Sequence, residues 1–139
     1  MTRNESRELA MMLVHEHSFQ SDLTLDELAR NAADARDIQM SEFAAALAQT
    51  TLEHLLEIDA AIEKNLKGWQ KNRLSRMVLA ILRVSVCEIL YMGDTPVSVA
   101  VNEGVGCAKK YAYDEDVNFV NGILGTIARG SGREEKEPL

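Results

Sequence analysis

The stretch MVLAILRVSVCEILYM, Met77 to Met92, constrains the fold more than any other part of the chain. It is apolar on nearly every side, yet it is too short to span a bilayer and carries Arg83 and Glu88. Its β-branched residues favour a strand locally, but a run of this length fits a helix better. A helix without a polar face has to be surrounded, so the rest of the chain must supply amphipathic elements that pack around it. Ser75 is placed to cap its start.

Those elements can be read on both sides of it. TRNE, from Thr2, reads as a capping box for a helix that runs to about His17 with Leu9, Met12 and Leu13 inward. TLDE, from Thr24, opens a second helix whose buried side is Leu25, Leu28, Ala29 and Ala32. From Ser41, the spacing Phe43, Leu47, Thr51, Leu55, Ile58, Ile62, Leu66 predicts one long amphipathic helix that Gly68 ends. Beyond the central run, Thr95 is the expected N-cap and Pro96 the first helical residue, with Val97, Val101, Gly104, Ala108 and Tyr111 facing inward. Gly104 and Ala108 would let a neighbouring helix come near.

A last helix is expected from Asp114, with Val117, Val120, Ile123, Leu124 and Ile127 on one face. Asn121-Gly122 is a hairpin signal, but the strand pattern fails on both sides of it. Phe119 points roughly 100° from the centre of the apolar face, so this large ring needs a partner of its own. Gly122 and Gly125 suggest close packing. The expectation is an all-α fold, with residues 1–129 as a single domain and 130–139 as a disordered charged tail.

Composition narrows the function. A chain that is 46% hydrophobic and 27% charged is globular, and its two cysteines, Cys87 and Cys107, lie in apolar surroundings that suit reduced buried thiols. With no charged-then-apolar leader, a cytoplasmic protein without a membrane segment is expected. The net charge of −7 argues against indiscriminate nucleic-acid binding, but residues 64–83 hold six basic groups and no acidic one.

Catalytic and metal chemistry find little support. His15 and His17 lie two apart, on different sides of a helix, so HEH is not a zinc pair, and GVGCAKK lacks the strand and third glycine of a dinucleotide loop. Asp59 with Glu63 reads as a solvated helix face. No catalytic residue, metal ligand or cofactor is expected. What remains is Lys64, Lys67, Lys71, Arg73, Arg76 and Arg83 around Trp69, together with Arg3, Arg7, Lys109, Lys110, Tyr111 and Phe119. Cations interleaved with aromatics suit single-stranded RNA, whose phosphates take the charge and whose unstacked bases take the rings. The competing reading makes Trp69 core, the lysines a solubilising face and Tyr111 a filler between helices.

From Leu79 to Asn118 and on through FVNGIL, the sequence resembles the NusB family of transcription antitermination factors. The resemblance rests on an Ile-Leu-Arg helix, a Pro-started helix with Asn-Glu followed by Ala-Lys, and the terminal Phe-Val-Asn-Gly-Ile-Leu. Arg7 in SRELA, Ile58-Asp59, Trp69 and Arg73-Leu74 extend it along the chain. It implies two packed three-helix bundles. It also implies binding of boxA-type single-stranded RNA in ribosomal RNA leaders, jointly with NusE, within an RNA polymerase elongation complex. On that resemblance the RNA-binding candidates are Arg3, Arg7, His15, Lys110, Tyr111, Glu115 and Phe119. The partner-binding candidates are Val78, Glu115, Asn118 and Phe119. His15 stands where Tyr or Phe is usual, Val78 where an acidic residue is usual, and Asn118 where lysine is usual. Asn102 and Glu103 are expected to serve internal hydrogen bonding or packing. The alternative to the RNA role is a protein-only helical interaction module, or a homodimer, in which RNA binding has weakened with the arginine arm.

Overall fold

The computed structural model describes residues 1–36, 41–68 and 74–133; the expectations for the Ala32 side chain and for Trp69, Lys71 and Arg73 fall outside what it describes. The described residues form seven helices: α1 (Arg3–His17), α2 (Leu25–Arg36), α3 (Glu42–Glu53), α4 (Leu55–Lys64), α5 (Arg76–Tyr91), α6 (Val97–Tyr111) and α7 (Asp114–Gly130). Helix α5 is the hub that its composition demands, since α1, α3, α4, α6 and α7 all pack on it. Helices α1 to α3 group on one side of it, α6 and α7 on the other, and one apolar core runs through both groups. Among the described residues, no helix is long and apolar enough to cross a membrane.

Side-chain caps start the helices where the sequence places them. Thr2 Oγ1 accepts from the backbone N–H of Glu5 at 3.1 Å while Glu5 Oε1 accepts from that of Thr2, and Thr24 with Glu27 repeats the box. The hydroxyls of Ser41 and Ser75 accept from the backbone N–H groups of Ala44 and Val78. At α6 the first helical residue is Val97, one later than expected, and Pro96 occupies the cap position. In α1 the buried arc centres on Ala10 and takes in Met11, with Met12 only half-buried. The arc is displaced because α3 and α5 both cover this helix.

Four expectations need correction. The long helix from Ser41 is two helices, broken at His54 (φ −110°, ψ 22°), and α4 ends at the cap residue Asn65 rather than at Gly68. Thr51 Oγ1 donates to the Leu47 carbonyl at 2.7 Å one turn ahead of the break, a back-bond that bends helices. The His54 ring then stacks on Tyr91, 3.9 Å between centroids. Gly122 has nothing within 4 Å of where a Cβ would stand, and Gly125 meets only Arg129 of its own helix, so neither permits a close helix contact. Gly104 is the residue that does: a Cβ there would fall 2.7 Å from Leu124 Cδ1 and against the Ser85 side chain. The chain also stays engaged from residue 130 to 133, because α7 includes Gly130 and the Arg133 guanidinium donates to the carbonyls of Glu88, Ile89, Gly93 and Thr95, while residues 134–139 of the expected tail fall outside the described residues. Of these carbonyls, that of Ile89 lies in the last turn of α5, where a cation is favoured.

Candidate nucleic-acid interface

Arg7 and Glu8 are consecutive in α1 and therefore point to different sides of it. Arg7 is 7% exposed. Its Nε donates to both carboxylate oxygens of Glu88 at 2.9 and 3.0 Å, its Nη2 to Glu88 Oε2 at 2.7 Å and its Nη1 to Asn4 Oδ1 at 3.0 Å. Burial pulls the guanidinium down, but the hydrogen bonds and charge of Glu88 carry it above its ordinary value. This arginine holds α1 against α5, and its Nε, Nη1 and Nη2 are each engaged within the fold.

Glu8 faces outward to the end of α6. Lys110 Nζ donates to its two oxygens at 2.9 and 3.1 Å, and Tyr111 OH donates to Oε2 at 3.1 Å. The lysine is raised by its hydrogen bond to Glu8, and Tyr111 by burial and by the same carboxylate, so both groups keep their protons. The Tyr111 ring is 37% exposed rather than inward, because it sits in the last turn of α6 beyond the packed row. Three residues farther on, α7 begins, and its first two turns carry Glu115, Asn118 and Phe119. Glu115 and Asn118 are exposed, whereas Phe119 is half-buried with its ring against the edge of the core. Its off-axis position in the sequence thus becomes a ring shared between core and surface.

The remaining candidates lie apart from this cluster. Arg3 stacks over Phe43, 3.9 Å from the ring centroid, beside a cavity of about 360 Å³ that Tyr91, Pro96 and Val99 help to line. His15 packs edge-on against Phe19, with centroids 5.1 Å apart. Val78 is 2% exposed, so it cannot touch a partner directly. Its apolar side chain faces the core at a position where an acidic one was expected in relatives. Asn102 is exposed, which removes it from internal packing, and Glu103 is half-buried beside Cys107 and Arg7. In the basic segment, Arg83 is committed to Asp59 through two bonds of 2.8 Å. Asp59 is therefore an interhelix anchor, not one member of a solvated acidic face.

Sequence reasoning missed Glu8 as an organiser, although its presence beside Arg7 was visible as charge. It also missed Phe43 and Glu88, whose partners come from remote positions. Among the described residues no three His, Cys, Asp or Glu side chains could hold a metal ion together. Burial pushes the thiols of Cys87 and Cys107 up to about 11, so neither carries an activated thiolate at neutral pH.

Among the described residues, a buried α5 enclosed by α1, α3, α4, α6 and α7 is an arrangement that known proteins share across nearly the whole chain. The family model described as the NusB family matches residues 4–129. The chain belongs to the NusB family. It is 38% identical to the transcription antitermination protein NusB of Finegoldia magna, over 93% of this chain and 95% of that one. The NusB of Clostridium novyi is likewise 38% identical, over 93% and 99%. Among solved structures, T. maritima NusB superposes with a TM-score of 0.80 at 28% identity, covering 93% and 92% of the two chains. A crystal structure of the antitermination factors NusB and NusE in complex with dsRNA gives a TM-score of 0.80 at 27% identity, covering 94% and 99%. NusB proteins are antitermination factors rather than enzymes, which accords with the poor catalytic inventory of this sequence.

Proposed function

We propose that this NusB-family chain acts in the cytoplasm as an antitermination factor that grips boxA-type single-stranded RNA of ribosomal RNA leaders, together with a NusE-type ribosomal protein and the RNA polymerase elongation complex. The observation that carries the reading is the gathering of Lys110 and Tyr111 at the α6–α7 corner, next to the helix turns that present Glu115, Asn118 and Phe119. Lys110 would meet phosphate. Tyr111 and Phe119 would offer base-contacting rings, and Glu115 would accept from base edges. Arg3 and His15 would serve as outer contacts, whereas Arg7 acts only by holding α1 in place. The partner surface is Glu115 and Asn118 with the exposed edge of Phe119. A relative solved with NusE and RNA supports that pairing.

One feature of the corner favours the alternative of a protein-only module or homodimer. Glu8 already occupies both the lysine and the phenol, so RNA has to displace it. The reading therefore expects weak capture by the chain alone and stronger capture with the partner. Titrating a boxA-like RNA and a scrambled control, with and without the NusE-type protein, decides between them. Preference for the boxA-like strand that strengthens with the partner supports the RNA role; partner binding with no RNA preference supports the protein-only module.

A further inference from the structure

Beyond the corner cluster, the turn that follows α1 presents an exposed aromatic that the proposed RNA contacts leave unused. Phe19 is 59% exposed, and its backbone N–H donates to the Glu16 carbonyl, so it continues the helical turn past His17. Glu8, Met12, His15 and Phe19 follow the spacing i, i+4, i+7, i+11 and share one side of α1. The line starts at the residue that holds Lys110 and Tyr111 and ends about 16 Å away along the helix axis. Here the ring is braced. His15 meets it edge-on, and the Arg76 guanidinium lies 4.5 Å from its centroid while Arg76 Nη1 donates to the Ser18 carbonyl at 3.0 Å. Beside it opens a cavity of about 470 Å³, lined by His17, Ser18, Ser21, Arg76 and Arg83 over an apolar floor that includes Leu52, with no carboxylate in its lining. Arg83 is already paired with Asp59, so in a chain of net charge −7 the charge this wall can offer an anion is that of Arg76.

We propose that Phe19 and Arg76 form a second base-and-phosphate subsite, which takes nucleotides flanking those held at the α6–α7 corner. The proposal rests on the RNA reading and extends its footprint along α1. A ring of which more than half is exposed offers a stacking surface to any base, the adjoining guanidinium takes the phosphate, and the serine hydroxyls can meet base edges. Continuity with the corner is what selects RNA over an acidic peptide, because a strand leaving Lys110 along α1 arrives at this ring.

The test compares two oligoribonucleotides, one of about 6 nucleotides that covers the corner alone and one of about 12 that reaches Phe19. Affinities are measured for the full chain with the NusE-type partner present. The native protein should bind the longer strand at least tenfold more tightly. Phe19→Ala should erase most of that gain and leave the short strand unaffected, while Phe19→Trp should preserve it. The proposal is overturned if Phe19→Ala shows the native gain, if length brings no gain, or if Phe19→Ala weakens capture of the partner protein alone. Failure of the native chain to bind either strand would overturn the corner reading itself, an outcome distinct from loss of the length gain.

Discussion

Arg7 and Glu8 differ by one position in α1 and by almost everything else. Arg7 meets Glu88 in the interior, where 7% and 2% of the two residues remain exposed, and every contact of the pair is made within the fold. Glu8 meets Lys110 at the surface, in a pair whose lysine side chain is 59% exposed. The first is costly to desolvate and more costly to break, so it fixes how α1 sits on α5. The second is screened by solvent and easily exchanged, so its lysine can be handed to another anion. In this chain, therefore, the neighbours of Arg7 across the fold turn it inward, whereas those of Glu8 leave its pair at the surface.

The largest expected effect lies on the buried side. Glu88→Ala leaves the Arg7 charge buried without its partner and should cost about 3–5 kcal/mol in urea unfolding. A loss below about 1 kcal/mol would mean that Arg7 swings out to water and that the contrast with Glu8 is false. Next, Phe119→Ala should weaken RNA capture by about 1–3 kcal/mol while the helical signal in circular dichroism is kept. Loss of that signal would assign the ring wholly to the core.

On the exposed side, Glu8→Gln removes the carboxylate that competes with phosphate. It should tighten RNA binding several-fold without moving the unfolding midpoint. The smallest effect is alkaline. Burial raises Cys87 from 9.0 to about 11, so the fold favours the neutral thiol. Its contribution is intact below pH 9 and is lost as pH rises toward 11. Cys87→Ala should flatten that part of the stability profile, which a series of thermal melts would show.

Local features of the fold were legible in the sequence. The boxes at Thr2 and Thr24 and the caps at Ser41 and Ser75 need only neighbouring residues, and the central place of α5 follows from a helix with no polar face. The break at His54 was hidden because Thr51, Leu55 and Ile58 keep helical spacing across it with no Gly or Pro to mark it. What stabilises it is a hydroxyl back-bond and a ring on Tyr91, the second supplied from 37 residues away. The site was legible as residue types and not as roles. Lys110 and Tyr111 do meet, but through Glu8, 102 residues before the lysine, and Arg7 was diverted by a carboxylate 81 residues distant. Gly122 looked like a packing glycine, yet its side of α7 is open.

We propose that Lys110, rather than Arg7, supplies the phosphate contact. The most direct measurement is the slope of log affinity for a boxA-like RNA against log salt concentration, in the native chain and in Lys110→Ala with the partner protein present. The substitution should reduce the slope by about one, the signature of a single lost phosphate contact. An unchanged slope would contradict it and return the phosphate to another cation.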